Sequence, residues 1–448
     1  MINQWFSKIL KPPPPASPPK STLPKPGLYA YARNDSCEKM TLHLRVEEDG
    51  RGTLVLNANR IFHLNPTAAS MTFFILEDTP PNEALNKILK TYHGNRKQIE
   101  QDFINFRETI QALIEHQAAC PICDLNINVN PPFSTEPSAP YRMDLALTYS
   151  CNNHCVHCYN ETDRHLQSLS LDQWKKVIDR LWELRIPHLV FTGGEPTLSP
   201  YLPQLIAYAH AKGFICGLNT NGRRLSQPTY LDSLIAAGLD HVQITLESHD
   251  PSIHDNIVQS CGAWQETTAG LRLALQSPLY VMTNTTLLRH NTPYLQETLQ
   301  FLAELGVPTI GLNALIFAGR GKEIQNPLAE TELETLLTIA KEITQDHQQR
   351  LIWYTPTQYC HFDPVEQDLG IKGCTAALYN MCIEPNGNVL PCQSYFQPVG
   401  NILVNQWEEI WQHDLCQWLR QRRFAPQKCR GCPLLKECGA GCPLALDR

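Results

Sequence analysis

Between Tyr141 and about Gly321, strand-like apolar runs alternate with amphipathic helical segments six times over. The runs are MDLALTY, HLVFT, FICGLNT, HVQITLE, YVMTNTTL and TIGLNAL. Between them lie segments such as DQWKKVIDRLWEL, whose Trp174, Val177, Ile178, Leu181 and Leu184 share one helical face. This alternation predicts parallel strands joined by right-handed crossovers, an α/β fold. Such a sheet places its chemistry at the carboxyl ends of its strands.

The rest of the 448 residues divides around that repeat, and the length suggests roughly three domains. Residues 1–26 read as a proline-rich disordered N-terminus. Lys11 to Pro26 (KPPPPASPPKSTLPKP) suits a polyproline II spacer, and the segment before it a frayed end. Residues 27–115 read as a small α+β domain. KMTLHLRVEED and GTLVLNANRIFHLN alternate like strands, and from Ala84 onward Ile88, Leu89, Tyr92, Ile99, Phe103, Phe106, Ile110 and Leu113 recur at helical spacing. Residues 116–140 read as a linker containing Cys120 and Cys123. The repeat region runs from 141 to 350 and a cysteine-rich tail from 351 to 448.

Seventeen cysteines without a secretory signal point to a reducing, cytoplasmic setting, in which clustered thiols are metal ligands rather than disulfides. No apolar run is long enough to span a bilayer. A net charge of -7 gives no footprint for nucleic acid.

Just after the first strand of the repeat comes TYSCNNHCVHCYN, with Cys151, Cys155 and Cys158 spaced C-x3-C-x2-C. A disulfide framework takes thiols in pairs and a closed zinc site takes four ligands. A cubane iron–sulfur cluster held by three thiolates keeps one iron free to bind a substrate or cofactor. A zinc half-site or unligated thiols are the alternatives that the spacing leaves open.

One repeat later stands Phe191-Thr192-Gly193-Gly194-Glu195-Pro196. With the triplet before it, this region resembles the radical S-adenosylmethionine (SAM) enzymes, whose fold is a partial (β/α)6 barrel. The resemblance implies that Cys151, Cys155 and Cys158 hold a 4Fe–4S cluster to which SAM binds. It also implies that Gly193, Gly194, Glu195 and Pro196 form the GGEP motif, with Glu195 accepting a bond from the methionyl ammonium. Asn219 in Asn219-Thr220-Asn221-Gly222, Thr245 and Glu247 in QITLES, and Asn284 stand where relatives contact the cofactor. Gly319-Arg320-Gly321 resembles a GRG element of the subgroup. The sequence departs from relatives after His254-Asp255, where Asn256 and Val258 stand in place of arginines that reach the SAM carboxylate.

Eight cysteines lie between Cys374 and Cys442, inclusive. By itself, Cys429-x2-Cys432-x5-Cys438-x3-Cys442 suits zinc. Behind a radical SAM barrel it resembles the SPASM extension, which carries one or two auxiliary 4Fe–4S clusters. By position the first would take Cys374, Cys382, Cys392 and Cys442, and the second Cys429, Cys432 and Cys438. The second cluster's usual fourth cysteine is missing, so an open or oxygen-ligated cluster, with Asp447 as the oxygen donor, is expected ahead of a distant cysteine. Cys37, Cys216, Cys261, Cys360 and Cys416 belong to no motif and read as packing thiols.

His63 to Leu76 (HLNPTAASMTFFIL), with its flanking strands and helices, resembles the winged-helix peptide chaperone of pyrroloquinoline quinone biosynthesis, a module that recognises leader peptides. The candidate peptide-binding edge is Leu42 to Ile61, with Arg45, Arg51 and Arg60 available to an acidic leader. The function implied is reductive cleavage of SAM to a 5′-deoxyadenosyl radical that abstracts hydrogen from a ribosomally made peptide. Crosslinking, thioether formation or epimerisation would follow, with electrons from a ferredoxin or flavodoxin. The alternatives are a small cofactor or tetrapyrrole precursor as substrate, or a non-catalytic iron–sulfur carrier or scaffold.

Overall fold

The computed structural model describes residues 9–10, 23–35, 38–57, 60–92, 95–115, 136–160 and 166–446. Most of the proline-rich run, Cys37, the Cys120/Cys123 linker and Asp447 lie outside the described residues. The chain divides into two compact units. One gathers residues up to Ser138 with Leu181–Pro187 and Ala211–Ile215, and the other holds the remainder.

The first unit is built on a five-stranded antiparallel sheet in the order β1-β2-β3-β4-β5. Its strands are Ile9–Leu10 (β1), Gly27–Asp35 (β2), Glu38–Val46 (β3), Gly52–Leu56 (β4) and Arg60–Leu64 (β5). Three helices follow, Pro66–Leu76, Pro81–Thr91 and Arg96–Glu115. The first helix starts where Asn65 caps it by accepting from the Ala68 amide, with Pro66 at the first position. Leu42, Leu44, Leu54, Phe62 and Leu64 of the sheet form one core with Phe74, Leu85, Ile88, Phe103 and Ile110 of the helices.

Three expectations change here. Ile9 and Leu10 are not frayed: their backbone pairs with Arg33 and Ala32, because the open edge of β2 offers unpaired amides and carbonyls. β3 and β4 are paired on both sides, so among the described residues of Leu42 to Ile61 the edge strand of the sheet, β5, holds Arg60 and Ile61. Arg45 is fully buried, bound to Glu47 at 2.7 Å and to Ser138 at 2.8 Å, so it is not available to a leader. Arg51 is paired with Asp49 at 2.6 Å.

The second unit is α/β, built on a ten-stranded sheet. Its repeat strands are Arg142–Thr148 (β6), His188–Gly193 (β7), Ile215–Thr220 (β8), His241–Thr245 (β9), Tyr280–Thr286 (β10) and Thr309–Asn313 (β11). They stand side by side in sequence order. Every residue of β7 is buried, as expected of parallel strands covered on both faces. The sheet runs further than the six repeats. Arg350–Trp353 (β12) adds a parallel strand beyond β11. On the other side, the tail's Asn380–Ile383 (β13) pairs parallel with β6, placing Cys382 opposite Asp144. Asn388–Leu390 (β14) and Gly400–Asn401 (β15) continue antiparallel. The tail is thus continuous with the barrel sheet. No described helix is long and apolar enough to cross a membrane.

Candidate functional site

The loop after β6 carries Cys151, Cys155 and Cys158, and segments following four other strands hold it in place. After β7, the Gly194 amide donates to Thr148 O at 2.7 Å and the Glu195 amide to Ser150 O at 2.9 Å. A Cβ on Gly194 would lie 2.4 Å from Ser150 O and one on Gly193 2.1 Å from Thr148 O, so neither position admits a side chain. These glycines therefore admit the cysteine loop's own backbone.

After β8, Asn221 donates to Asn152 at 2.6 Å, and Arg223 donates to Asn152 O at 2.5 Å and to Asn153 at 2.8 Å. After β9, the end of helix Pro251–Val258 accepts the His154 and Val156 amides, both at 2.9 Å. After β11, Gly319 packs against the Cys158–Asn160 backbone, where a Cβ would meet Asn160 O at 2.3 Å.

Glu195 is buried and heavily bonded. Oε1 accepts from the Thr197 amide (3.0 Å), the Thr197 hydroxyl (2.7 Å) and the Thr220 hydroxyl (2.7 Å), and Oε2 accepts from the Asn221 amide at 2.8 Å. Burial raises its pKa and the four bonds oppose that rise. The carboxylate thus ties the ends of β7 and β8 together, and little acceptor capacity remains for an ammonium.

Glu247 plays a similar part. It is fully buried, accepts from the Thr286 amide at 3.0 Å and meets His157, between Cys155 and Cys158, at 3.1 Å. Asn284 is buried and accepts from Asn313 at 3.0 Å, while Asn219 and Thr245 are half-buried at their strand ends. His254-Asp255 is a structural pair. His254 accepts from the Glu247 amide at 3.1 Å, and Asp255 accepts from the Gly262 and Trp264 amides at 2.6 and 2.8 Å.

The three thiols share one electrostatic environment. Burial pushes Cys151 up to about 11, with Glu195 and Cys158 adding to the rise and Arg223 opposing it. Burial also raises Cys155 strongly, helped by Cys158, Glu247 and Cys151. Cys158 is raised by burial and held back by the Asn160 amide and by the charge of Arg320. Without metal these thiols are protonated near neutral pH, so taking up iron releases protons.

Cys374, Cys382, Cys392 and Cys442 of the tail behave as one group as well. Burial lifts Cys392 to about 12, aided by Cys374, and raises Cys442, aided by Cys374 and Cys392. Cys382 is raised by burial and then by Asp144 and Cys392. No group of three His, Cys, Asp or Glu among the described residues converges on a single-ion site. A cubane does not require one, because each thiolate meets a different iron.

The sequence reading missed Asp144 and Tyr159. Asp144 is fully buried and binds Arg142 through both oxygens, at 2.7 and 3.0 Å. The Tyr159 phenol is pushed well up by burial and then by Cys158, Cys382 and Asp144. One thiol from the barrel loop and one from the tail thus act on it electrostatically. Tyr159 follows Cys158 directly, but its link to Cys382 depends on the pairing of β6 with β13. Arg223, directly after Asn219–Gly222, carried a positional signal that motif reading passed over.

Family models match residues 145–314 as the radical SAM superfamily and residues 374–433 as an iron–sulfur cluster-binding (SPASM) domain. An AdoMet-dependent heme synthase of Methanosarcina barkeri is 26% identical over 322 residues, 68% of this chain and 91% of that protein. Among solved structures, Streptococcus suis SuiB bound to its precursor peptide SuiA superposes with a TM-score of 0.66 at 16% identity, covering 90% of this chain and 94% of that one. Native anSMEcpe with bound AdoMet gives a TM-score of 0.55 at 16% identity, covering 67% of this chain and 89% of that one.

Proposed function

This chain is a radical SAM enzyme with a SPASM extension, and we propose that the molecule it modifies is a ribosomally made peptide. Cys151, Cys155 and Cys158 would hold the SAM-binding cluster, and Cys374, Cys382, Cys392 and Cys442 the first auxiliary cluster. When bound, the first cluster and SAM together supply a radical that abstracts hydrogen, and a low-potential one-electron donor feeds it. Gly193, Gly194 and Pro196 shape the SAM-side wall. Asn219 and Thr245 have the more open side chains, whereas Glu195, Glu247 and Asn284 act mainly through the strand ends they hold together. Closing the cysteine loop against its neighbours keeps water from the reacting atoms.

The observation that carries the peptide reading is the sheet of the first unit. Among the described residues its last strand, β5, is paired on one side only, and Ile61 on it is exposed. An extended peptide can add to such an edge, its main chain supplying hydrogen bonds and its side chains the selectivity. SuiB, similar over 90% of this chain, was solved with a precursor peptide.

The heme synthase favours a second reading, a tetrapyrrole side chain, but its similarity takes in only 68% of this chain. Arg142, a natural partner for a propionate, is also already held by Asp144.

The test uses the full-length enzyme with whichever short peptide a neighbouring gene encodes. Hydrogen exchange should slow at Arg60–Leu64 when the peptide binds, and the peptide's mass should change under turnover with SAM and a reductant. Turnover of a tetrapyrrole precursor, with no protection of β5 by the peptide, would move the assignment to the second reading.

A further inference from the structure

We infer that Cys360 is the fourth ligand of the second auxiliary cluster, which is therefore closed by four thiolates. The inference rests on the reading that Cys429, Cys432 and Cys438 hold that cluster, and the test below separates the two.

Cys429, Cys432 and Cys438 lie on short turns. The Cys432 amide donates to Cys429 O at 3.1 Å and the Cys438 amide to Leu434 O at 2.8 Å. Among the described residues, the stretch 357–359 comes to these turns with its backbone, and Arg422 packs on Gly439. The Tyr359 amide donates to Cys438 Sγ at 3.3 Å, and that thiol reaches back to Thr357 O at 3.6 Å. Gly441 lies against the same stretch, since a Cβ there would stand 3.3 Å from Gln358 N. Cys360 is the next residue after the one whose amide binds the Cys438 sulfur.

Cys360 and Cys432 are exposed, which leaves one side of the site facing solvent. The neighbouring His361 is occupied by Glu330 at 3.1 Å. A backbone amide already aimed at a sulfur is a familiar way for a protein to set a cluster's potential.

The chemical consequence concerns what each cluster does. Three thiolates leave an iron that can take a substrate, whereas four make an electron carrier. With Cys360 as ligand the second auxiliary cluster binds no substrate. It carries one electron at a time at a solvent-facing edge of the tail.

The test uses the full-length protein isolated anaerobically with its clusters. Iodoacetamide labelling read by mass spectrometry should modify Cys261, the exposed control, while Cys360 reacts at least roughly tenfold more slowly. Stripping iron with a chelator should bring Cys360 to the rate of Cys261. In Cys360→Ala, made with the other variants in the Cys151/Cys155/Cys158→Ala background so that the barrel cluster's open iron gives no signal, mild oxidation should release one iron from this cluster and give a 3Fe–4S electron-paramagnetic signal. Cys360→Ser should keep the iron with a shifted spectrum, and Cys261→Ala and Asp447→Ala should change nothing. Cys360 labelling as fast as Cys261 while Cys429 and Cys432 stay protected would overturn the inference, as would the three-iron signal arising in Asp447→Ala instead. Labelling of Cys429 and Cys432 in the iron-loaded protein would remove the cluster itself, and the inference with it.

Discussion

The second unit builds its barrel triplet and the tail's Cys429, Cys432 and Cys438 in opposite ways. Around Cys151, Cys155 and Cys158 the backbone is bonded or packed by segments that follow β7, β8, β9 and β11. Around Cys429, Cys432 and Cys438 the bonds run within short turns and to one passing stretch at residues 357–359. The first site is shaped by a sheet before any metal arrives. The second has little apart from its metal to give it shape, as in small metal-folded modules. A cluster that must align SAM with a substrate needs the first arrangement, and a cluster that only passes electrons tolerates the second.

The largest effects should come from removing whole ligand sets. Replacing Cys151, Cys155 and Cys158 together by alanine should abolish 5′-deoxyadenosine formation and remove about four irons, with the barrel still folded by circular dichroism. Replacing Cys429, Cys432 and Cys438 should instead open the tail to proteolysis beyond Ala425 and leave some SAM cleavage. Full cleavage in the first variant would end the assignment of the triplet. A protease-resistant tail in the second would show that the tail too is shaped without its metal.

A matched pair of glycine changes sharpens the contrast. In Gly194→Ala the new Cβ meets Ser150 O at 2.4 Å and Tyr149 O at 2.5 Å, with backbone on both sides and no flexible atom to yield. Overpacking of this kind costs about 1–3 kcal/mol or more. The barrel cluster should be lost first, seen as lower iron content with the auxiliary signals intact. Gly431→Ala, between Cys429 and Cys432, adds a methyl group with nothing within 4 Å, and should leave iron content and melting temperature unchanged. Equal effects would mean that the two loops are equally constrained.

Glu195→Ala comes next. It strands buried donors from Thr197, Thr220 and Asn221, each costing about 1–3 kcal/mol if left unpaired. SAM affinity, by equilibrium binding to the cluster-loaded protein, should fall by roughly ten- to a hundred-fold. Because the carboxylate ties β7 to β8, the melting temperature should fall with it. Loss of affinity at unchanged stability would restore direct ammonium binding as the main role of Glu195.

These sites also mark how much the sequence disclosed. The six repeat strands were legible because strand and helix periods alternate cleanly, and the triplet was legible because it follows the first of them. The use of Glu195 was not, since a motif names the residue without its donors on Thr220 and Asn221. Arg45 looked like a surface charge on an alternating strand, yet β3 is covered on both faces where it lies. β12 is only four residues long and follows a long helix, so it carried no periodic signal. Cys360 stood outside every motif because its link to Cys438 is a contact between residues 79 apart in the chain, Tyr359 and Cys438. Spacing rules see ligands that share a turn and are blind to ligands brought together by tertiary folding.

The smallest expected effect tests the barrel site's electrostatics. The charge of Arg320 opposes the rise that burial imposes on the Cys158 thiol. Reducing the cluster adds one negative charge, and a cation beside a ligating thiolate stabilises the reduced form more than the oxidised one. Arg320→Ala should therefore lower the midpoint potential of the barrel cluster. A tenfold change in a one-electron equilibrium corresponds to about 59 mV, and a shift of about that size is expected. Arg320→Lys keeps the charge without the planar fork and should recover part of it. A potentiometric titration followed by electron paramagnetic resonance measures both, with the auxiliary clusters as internal references. Iron content should not change, because Cys158 itself is untouched. If the auxiliary potentials move as far as the barrel cluster's, the arginine acts through the fold as a whole. A shift confined to the barrel cluster would identify Arg320 as part of the preorganised environment that Cys429, Cys432 and Cys438 lack.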